Sequence, residues 1–118
     1  MKHLFISMNN LVRICLEVIS TAESKDLCFD WEVSTYIVKF KKNGINYELK
    51  FVRRFFGLIS EITLIENFEV ISEDSITREE FKLLEKSYLD REDEIKDMKF
   101  KKAFPSIERD NKINQIIN

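Results

Sequence analysis

Hydrophobic positions along the chain switch between helical and strand spacing, and each switch marks a boundary. Leu11, Ile14, Cys15, Val18, Ile19 and Ala22 recur at i, i+3, i+4, i+7, i+8 and i+11, one apolar stripe of a helix. Leu4 and Met8 extend the stripe backward, so this helix can begin before Asn9; it ends near Glu23, where Ser24-Lys25-Asp26 reads as a turn. The period then becomes two. Leu27, Phe29, Trp31 and Val33 alternate with Cys28, Asp30 and Glu32, as in a half-buried strand. The inward set next moves to Tyr36, Val38 and Phe40, which requires a bulge or tight turn near Ser34-Thr35.

Asn43-Gly44 is the strongest local signal. Both residues tolerate the positive φ that a two-residue type I′ hairpin demands. A turn there sets Phe40 against Tyr47, Val38 against Leu49 and Tyr36 against Phe51 on one side, with Lys39 against Glu48 and Lys41 against Asn46 on the other. A one-residue slip would undo that sorting. Between Phe55 and Ser72, Leu58, Ser60, Ile62 and Leu64 alternate with Ile59, Glu61, Thr63 and Ile65. Helical spacing of Phe55, Ile59 and Ile62 competes, but the Ile and Thr content favours a strand. Phe68 to Ile71 is a further short strand or an extended lead-in.

A second helix follows. Thr77 and Glu80 form a capping box, Ile76 and Phe81 a hydrophobic staple, and Glu79 and Glu80 suit the dipole of the first turn. Its core stripe is Phe81, Leu84, Tyr88, Ile95 and Met98, interrupted by Arg91. Lys99, Lys101 and Lys102 gather near its end and Pro105 stops it. The span is long for so small a domain, which leaves room for a break near Asp90. The polar tail 106–118 carries Ile113, Ile116 and Ile117, able to dock as a short helical turn. The expected fold is α+β: one domain over 1–118, with an N-terminal and a C-terminal helix on an antiparallel β-meander of three to five strands.

Composition narrows the class. A chain of 118 residues that is 44% hydrophobic and 34% charged can bury a core without metals or disulfides. Ile, Lys, Phe and Asn are abundant while Ala, Gly and Pro are scarce, the imprint of AT-rich coding common in low-GC genomes and phage-borne genes. The start, Met1 to Met8, begins like a signal peptide, but Asn9, Asn10, Arg13 and Glu17 interrupt it and no small-residue cleavage site follows. No run approaches a membrane span. A cytoplasmic protein is expected.

Candidate chemistry is sparse. His3 is the one histidine, near a terminus, so no Cys-His or Ser-His constellation forms without it. Cys15 and Cys28 lack metal-ligand spacing. There is no Gly-rich phosphate loop, no His-Glu-x-x-His and no Cys-x-x-Cys pair. Asp90-Arg91-Glu92-Asp93-Glu94 is acidic but lacks the alternation and central Gly of a calcium loop. The expectation is a non-enzyme with no metal and no cofactor; two-carboxylate catalysis is the open exception.

Charge is segregated. Residues 39–60 hold six basic side chains against Glu48, while residues 61–97 hold thirteen acids against five bases, within a net charge of −2. On the second helix Glu79, Leu83, Asp90, Asp93, Glu94 and Asp97 point away from the core, an apolar anchor among carboxylates. That face is the expected docking site for a basic protein partner, such as a toxin domain, neutralised by occlusion as immunity proteins neutralise bacterial nuclease toxins. The alternative is a nucleic-acid-associated regulatory or phage accessory protein using Lys39, Lys41, Lys50, Arg53 and Arg54. Against it, the hairpin aromatics fall on the face opposite Lys39, Lys41 and Lys50, whereas single-strand binders place rings and cations together.

Overall fold

The fold begins at a cap. The computed structural model describes residues 9–103, and Asn9 is the N-cap of helix α1 (Asn10–Thr21), its side-chain oxygen accepting the Leu11 N–H at 2.8 Å. The helix therefore starts at Asn10; its extension through Leu4 and Met8 lies outside the described residues, as do His3, Pro105 and the tail. Leu11, Val12, Cys15 and Ile19 are buried along its inner face. A single 3₁₀ turn (Ser24–Asp26) then leads into the sheet.

Five strands follow as an antiparallel meander in sequence order: β1 (Leu27–Asp30), β2 (Thr35–Lys42), β3 (Ile45–Arg54), β4 (Ile59–Glu66) and β5 (Glu69–Ser75). The hairpin register is the one Asn43-Gly44 dictates: Tyr36 pairs with Phe51, Val38 with Leu49 and Phe40 with Tyr47. Asn43 and Gly44 both have positive φ, 53° and 79°. Tyr36 and Phe51 stack with ring centroids 4.9 Å apart, and Phe81 and Tyr88 meet them edge-on.

Helix α2 (Arg78–Ala103) closes the core from the same side, burying Phe81, Leu84, Tyr88 and Ile95. Its capping box is formed as expected. Thr77 N–H donates to Glu80 Oε1 and Glu80 N–H to Thr77 Oγ1, while Ile76 and Phe81 are both buried as a staple. Glu80 Oε2 also accepts the Asn9 N–H at 2.8 Å, so one carboxylate joins the starts of both helices. Farther along, Arg91 Nε donates to the Ala22 carbonyl at 2.9 Å, which satisfies an acceptor at the end of α1. The two helices thus run side by side in the same direction. Arg91 breaks the apolar stripe because it caps a neighbour.

Several boundaries differ from the sequence pattern. β1 stops at Asp30, and Trp31 and Val33 are 83% and 50% exposed rather than inward. A tight turn replaces further strand: the Asp30 carboxylate accepts the Glu32 N–H, and Ser34 has a φ of 48°. Trp31 keeps an edge contact with Phe29. Leu58 is 86% exposed, Met98 is exposed as well, and β5 runs beyond Ile71 to Ser75. No break occurs near Asp90. Residues 78–103 contain no Gly or Pro, and Lys86–Asp90, Glu92–Lys96 and Asp97–Lys101 pairs at i,i+4 brace the helix.

Two turns carry backbone strain. Phe55 and Phe56 have φ of 52° and 56°, and Phe68 has 72° in the two-residue Asn67-Phe68 turn. Left-handed backbone costs an L side chain roughly 1–2 kcal/mol per residue.

Candidate functional site

The six residues expected to form a docking face do share one. At about 100° and 1.5 Å per residue, Glu79, Leu83, Asp90, Asp93, Glu94 and Asp97 lie within roughly 60° of Glu79 over about 27 Å. All are exposed, and Leu83 is 39% exposed. Three of the five carboxylates are nonetheless matched by the helix itself. Lys86 reaches Asp90 at 3.3 Å, Arg91 reaches Glu94 at 3.0 Å and Lys101 reaches Asp97 at 3.2 Å. Lys86 and Lys101 fall within about 40° of Glu79 on the same stripe. Such exposed pairs add only a few tenths of a kcal/mol, about 0.3–0.5, but they place cations among the acids. Helix α2 as a whole has eight acidic and eight basic residues, so its far field is close to neutral.

The uncompensated acid lies elsewhere. Residues 59–77, which hold β4 and β5, carry Glu61, Glu66, Glu69, Glu73 and Asp74 and no basic residue. Two of the five are engaged: Glu61 lies 4.0 Å from Arg54, and Asp74 accepts from the Asn9 side-chain amide at 2.7 Å. Glu66, Glu69 and Glu73 form no ion pair among the described residues. Glu66 and Glu69 are directly opposed across the two strands. Like charges in that position destabilise a sheet.

Apolar side chains stand among these acids. Phe68 is 97% exposed, Val70 59% and Ile71 48%. β5 is an outermost strand, so its outward backbone groups pair with no strand in the sheet, and a bulge between Leu64 and Ile65 leaves Ile71 without a cross-strand partner. Charges and a bulge keep such an edge from pairing with its own kind. Sequence reasoning missed this ribbon because it averaged residues 61–97 into one block; the signal was the absence of any Lys or Arg from 59 to 77.

Lys39, Lys41, Lys50 and Arg54 share the outer face of the sheet, with Glu48 and Glu61 among them. Lys39 faces Glu48 and Lys41 faces Asn46. Lys50 is half-buried, and Arg54 approaches Glu61. Arg53 leaves by the other face, its guanidinium 5.6 Å from the centre of the Phe81 ring. An open groove of roughly 610 Å³ between the end of α1 and the β2–β3 hairpin includes Lys25, Lys39 and Lys41, with Phe40 and Tyr47 stacked at 5.1 Å, but Glu23, Asp26 and Glu48 line it equally.

Groups with shifted ionisation sit in the core. Burial pushes the Cys15 thiol up to about 12, and burial with the Glu85 hydrogen bond pushes the Tyr36 hydroxyl up to about 12. Burial also drives Tyr88 upward. All three are neutral at pH 7. Among the described residues no three His, Cys, Asp or Glu side chains are grouped to hold a metal, and no helix is long and apolar enough to cross a membrane. No protein-family model, no curated protein and no solved structure matches this chain.

Proposed function

We propose that this is a small binding protein that occludes a basic protein partner, the mode of action of immunity proteins against nuclease-type toxins, and that the β4–β5 ribbon leads the contact. The observation that carries this reading is the opposed Glu66–Glu69 pair beside exposed Phe68, with no ion pair to relieve it among the described residues. A basic surface laid over the Asn67-Phe68 end of the ribbon supplies the missing counter-charge to Glu66 and Glu69 and covers Phe68 in one step. On the outer face of α2, Glu79 and Asp93 are the two of the five carboxylates that form no ion pair among the described residues.

The test uses three immobilised baits: the wild-type chain, the ribbon reversal Glu66→Lys/Glu69→Lys/Glu73→Lys, and the helix reversal Asp93→Lys/Asp97→Lys. Capture from a native lysate should retain a basic protein on wild type, weaken modestly on the helix variant and fail on the ribbon variant, with salt-sensitive elution. Equal retention by the ribbon variant, or no basic protein on wild type, refutes the reading. The nucleic-acid alternative has weaker support, because Lys39, Lys41, Lys50 and Arg54 share the outer face of the sheet with Glu48 and Glu61 among them, and Arg53 leaves by the other face. A salt-sensitive mobility shift with generic DNA or RNA would restore it.

A further inference from the structure

At the opposite end of the sheet from the Asn67-Phe68 turn, the β1–β2 and β3–β4 turns lie side by side, joined by an Arg53 N–H to Ser34 carbonyl contact of 3.5 Å. They present a knob and a hole. The knob is Phe56, fully exposed on a backbone with φ of 56°, between the strained Phe55 and Gly57 at φ 90°. The hole is an open groove of roughly 360 Å³ running between the two turns, with Val33, Val52 and Phe55 for its apolar lining and Lys50, Arg54 and Glu32 among its charged residues. Trp31 and Leu58, 83% and 86% exposed, flank them.

We propose that this end of the sheet is a two-fold interface between two copies of this chain, with Phe56 of each seated in the other's groove. Three observations select a second copy as the occupant. Knob and hole occur on one surface of one molecule, which is the condition for an isologous contact. The groove carries both signs: Glu32 on the first turn has no ion pair among the described residues, and Arg54 on the second has only Glu61 at 4.0 Å. A two-fold axis between the turns sets each Glu32 against the other copy's Arg54. Lastly, Trp31, Phe55, Phe56 and Leu58 together expose on the order of 600 Å² per copy, near the roughly 800 Å² per partner of a standard interface. Mixed rim charge also argues against an anionic lipid surface, which favours a uniformly basic collar.

Strain gives the test its sharpness. Asn occupies left-handed backbone more readily than Phe, so Phe56→Asn should melt at the same or a higher temperature than wild type while losing assembly. Sedimentation equilibrium of the full chain should show a concentration-dependent dimer, weakened roughly thirtyfold by Phe56→Asn, as for an interface hot spot. Glu32→Arg or Arg54→Glu alone should weaken it several-fold, and the two together should restore it. A wild-type monomer at all concentrations overturns the proposal. So does a dimer indifferent to Phe56→Asn, or a charge swap that fails to rescue. Flotation with phosphatidylserine vesicles by a chain that stays monomeric would assign the surface to lipid instead. The partner-capture experiment on the ribbon is independent of each of these outcomes.

Discussion

Helix α2 and the β4–β5 ribbon both hold many acids in the sequence, yet the helix as a whole is close to neutral and the ribbon is not. The difference is one of period. A helix brings residues three and four apart together, so the lysines and arginines spaced through 78–103 land beside the acids: Lys86 on Asp90, Arg91 on Glu94, Lys96 on Glu92, Lys101 on Asp97. In a strand a side chain meets only its cross-strand neighbours. With no base between 59 and 77, Glu69 of β5 faces Glu66 of β4. A local excess of carboxylates thus predicts an attractive surface only after the fold has decided which cations can reach them.

The sharpest way to break this comparison is partner capture. Reversing Glu66, Glu69 and Glu73 to Lys should weaken a basic partner by about a hundredfold or more, while Asp93→Lys/Asp97→Lys should change it by less than about tenfold. If the order is inverted, the helix is the site. The next effect is on stability. Glu80→Ala removes the capping box and the bond to Asn9 together and should cost about 2 kcal/mol in urea unfolding. Arg91→Met keeps the aliphatic packing but strands the Ala22 carbonyl, and should cost about 1 kcal/mol. The smallest effect has the opposite sign: Glu69→Gln should stabilise by roughly 0.5 kcal/mol, more at low salt, because it relieves the opposed pair.

An alkaline titration separates these surface acids from the core. Cys15 and Tyr36 keep their protons in the folded state to about 12, while the unfolded chain releases them from the ordinary values of 9.0 and 10.0. The folded state therefore binds more protons across that window, so stability is fully present below pH 9 and falls as pH rises toward 12. Tyr36→Phe should flatten part of that fall in melts followed by circular dichroism. The Glu69→Gln gain should persist through it.

Much of the fold was legible because turn and cap chemistry fixes geometry locally. Asn43-Gly44 pinned the β2–β3 register, and Thr77 with Glu80 fixed the start of α2. The Asn67-Phe68 turn was not legible, since Phe rarely occupies left-handed backbone and the pattern gave no reason to place it there. Trp31 and Val33 continued the strand period past the point where Asp30 turned the chain. The role of Arg91 needed the adjacency of α1 and α2, which no spacing along one helix contains. Glu79, Leu83, Asp90, Asp93, Glu94 and Asp97 share an exposed side of α2, but Lys86 and Lys101 fall among them, which the acid count alone did not reveal.

The most direct measurement needs no partner. Nuclear relaxation enhancement of each backbone amide by a cationic and by an anionic nitroxide, compared residue by residue at low salt, reads the local potential. The account predicts that the cationic probe is enriched along residues 66–73 and that the two probes act nearly equally along 86–101. Equal action on the ribbon, with the cationic probe gathering on α2 instead, would contradict it.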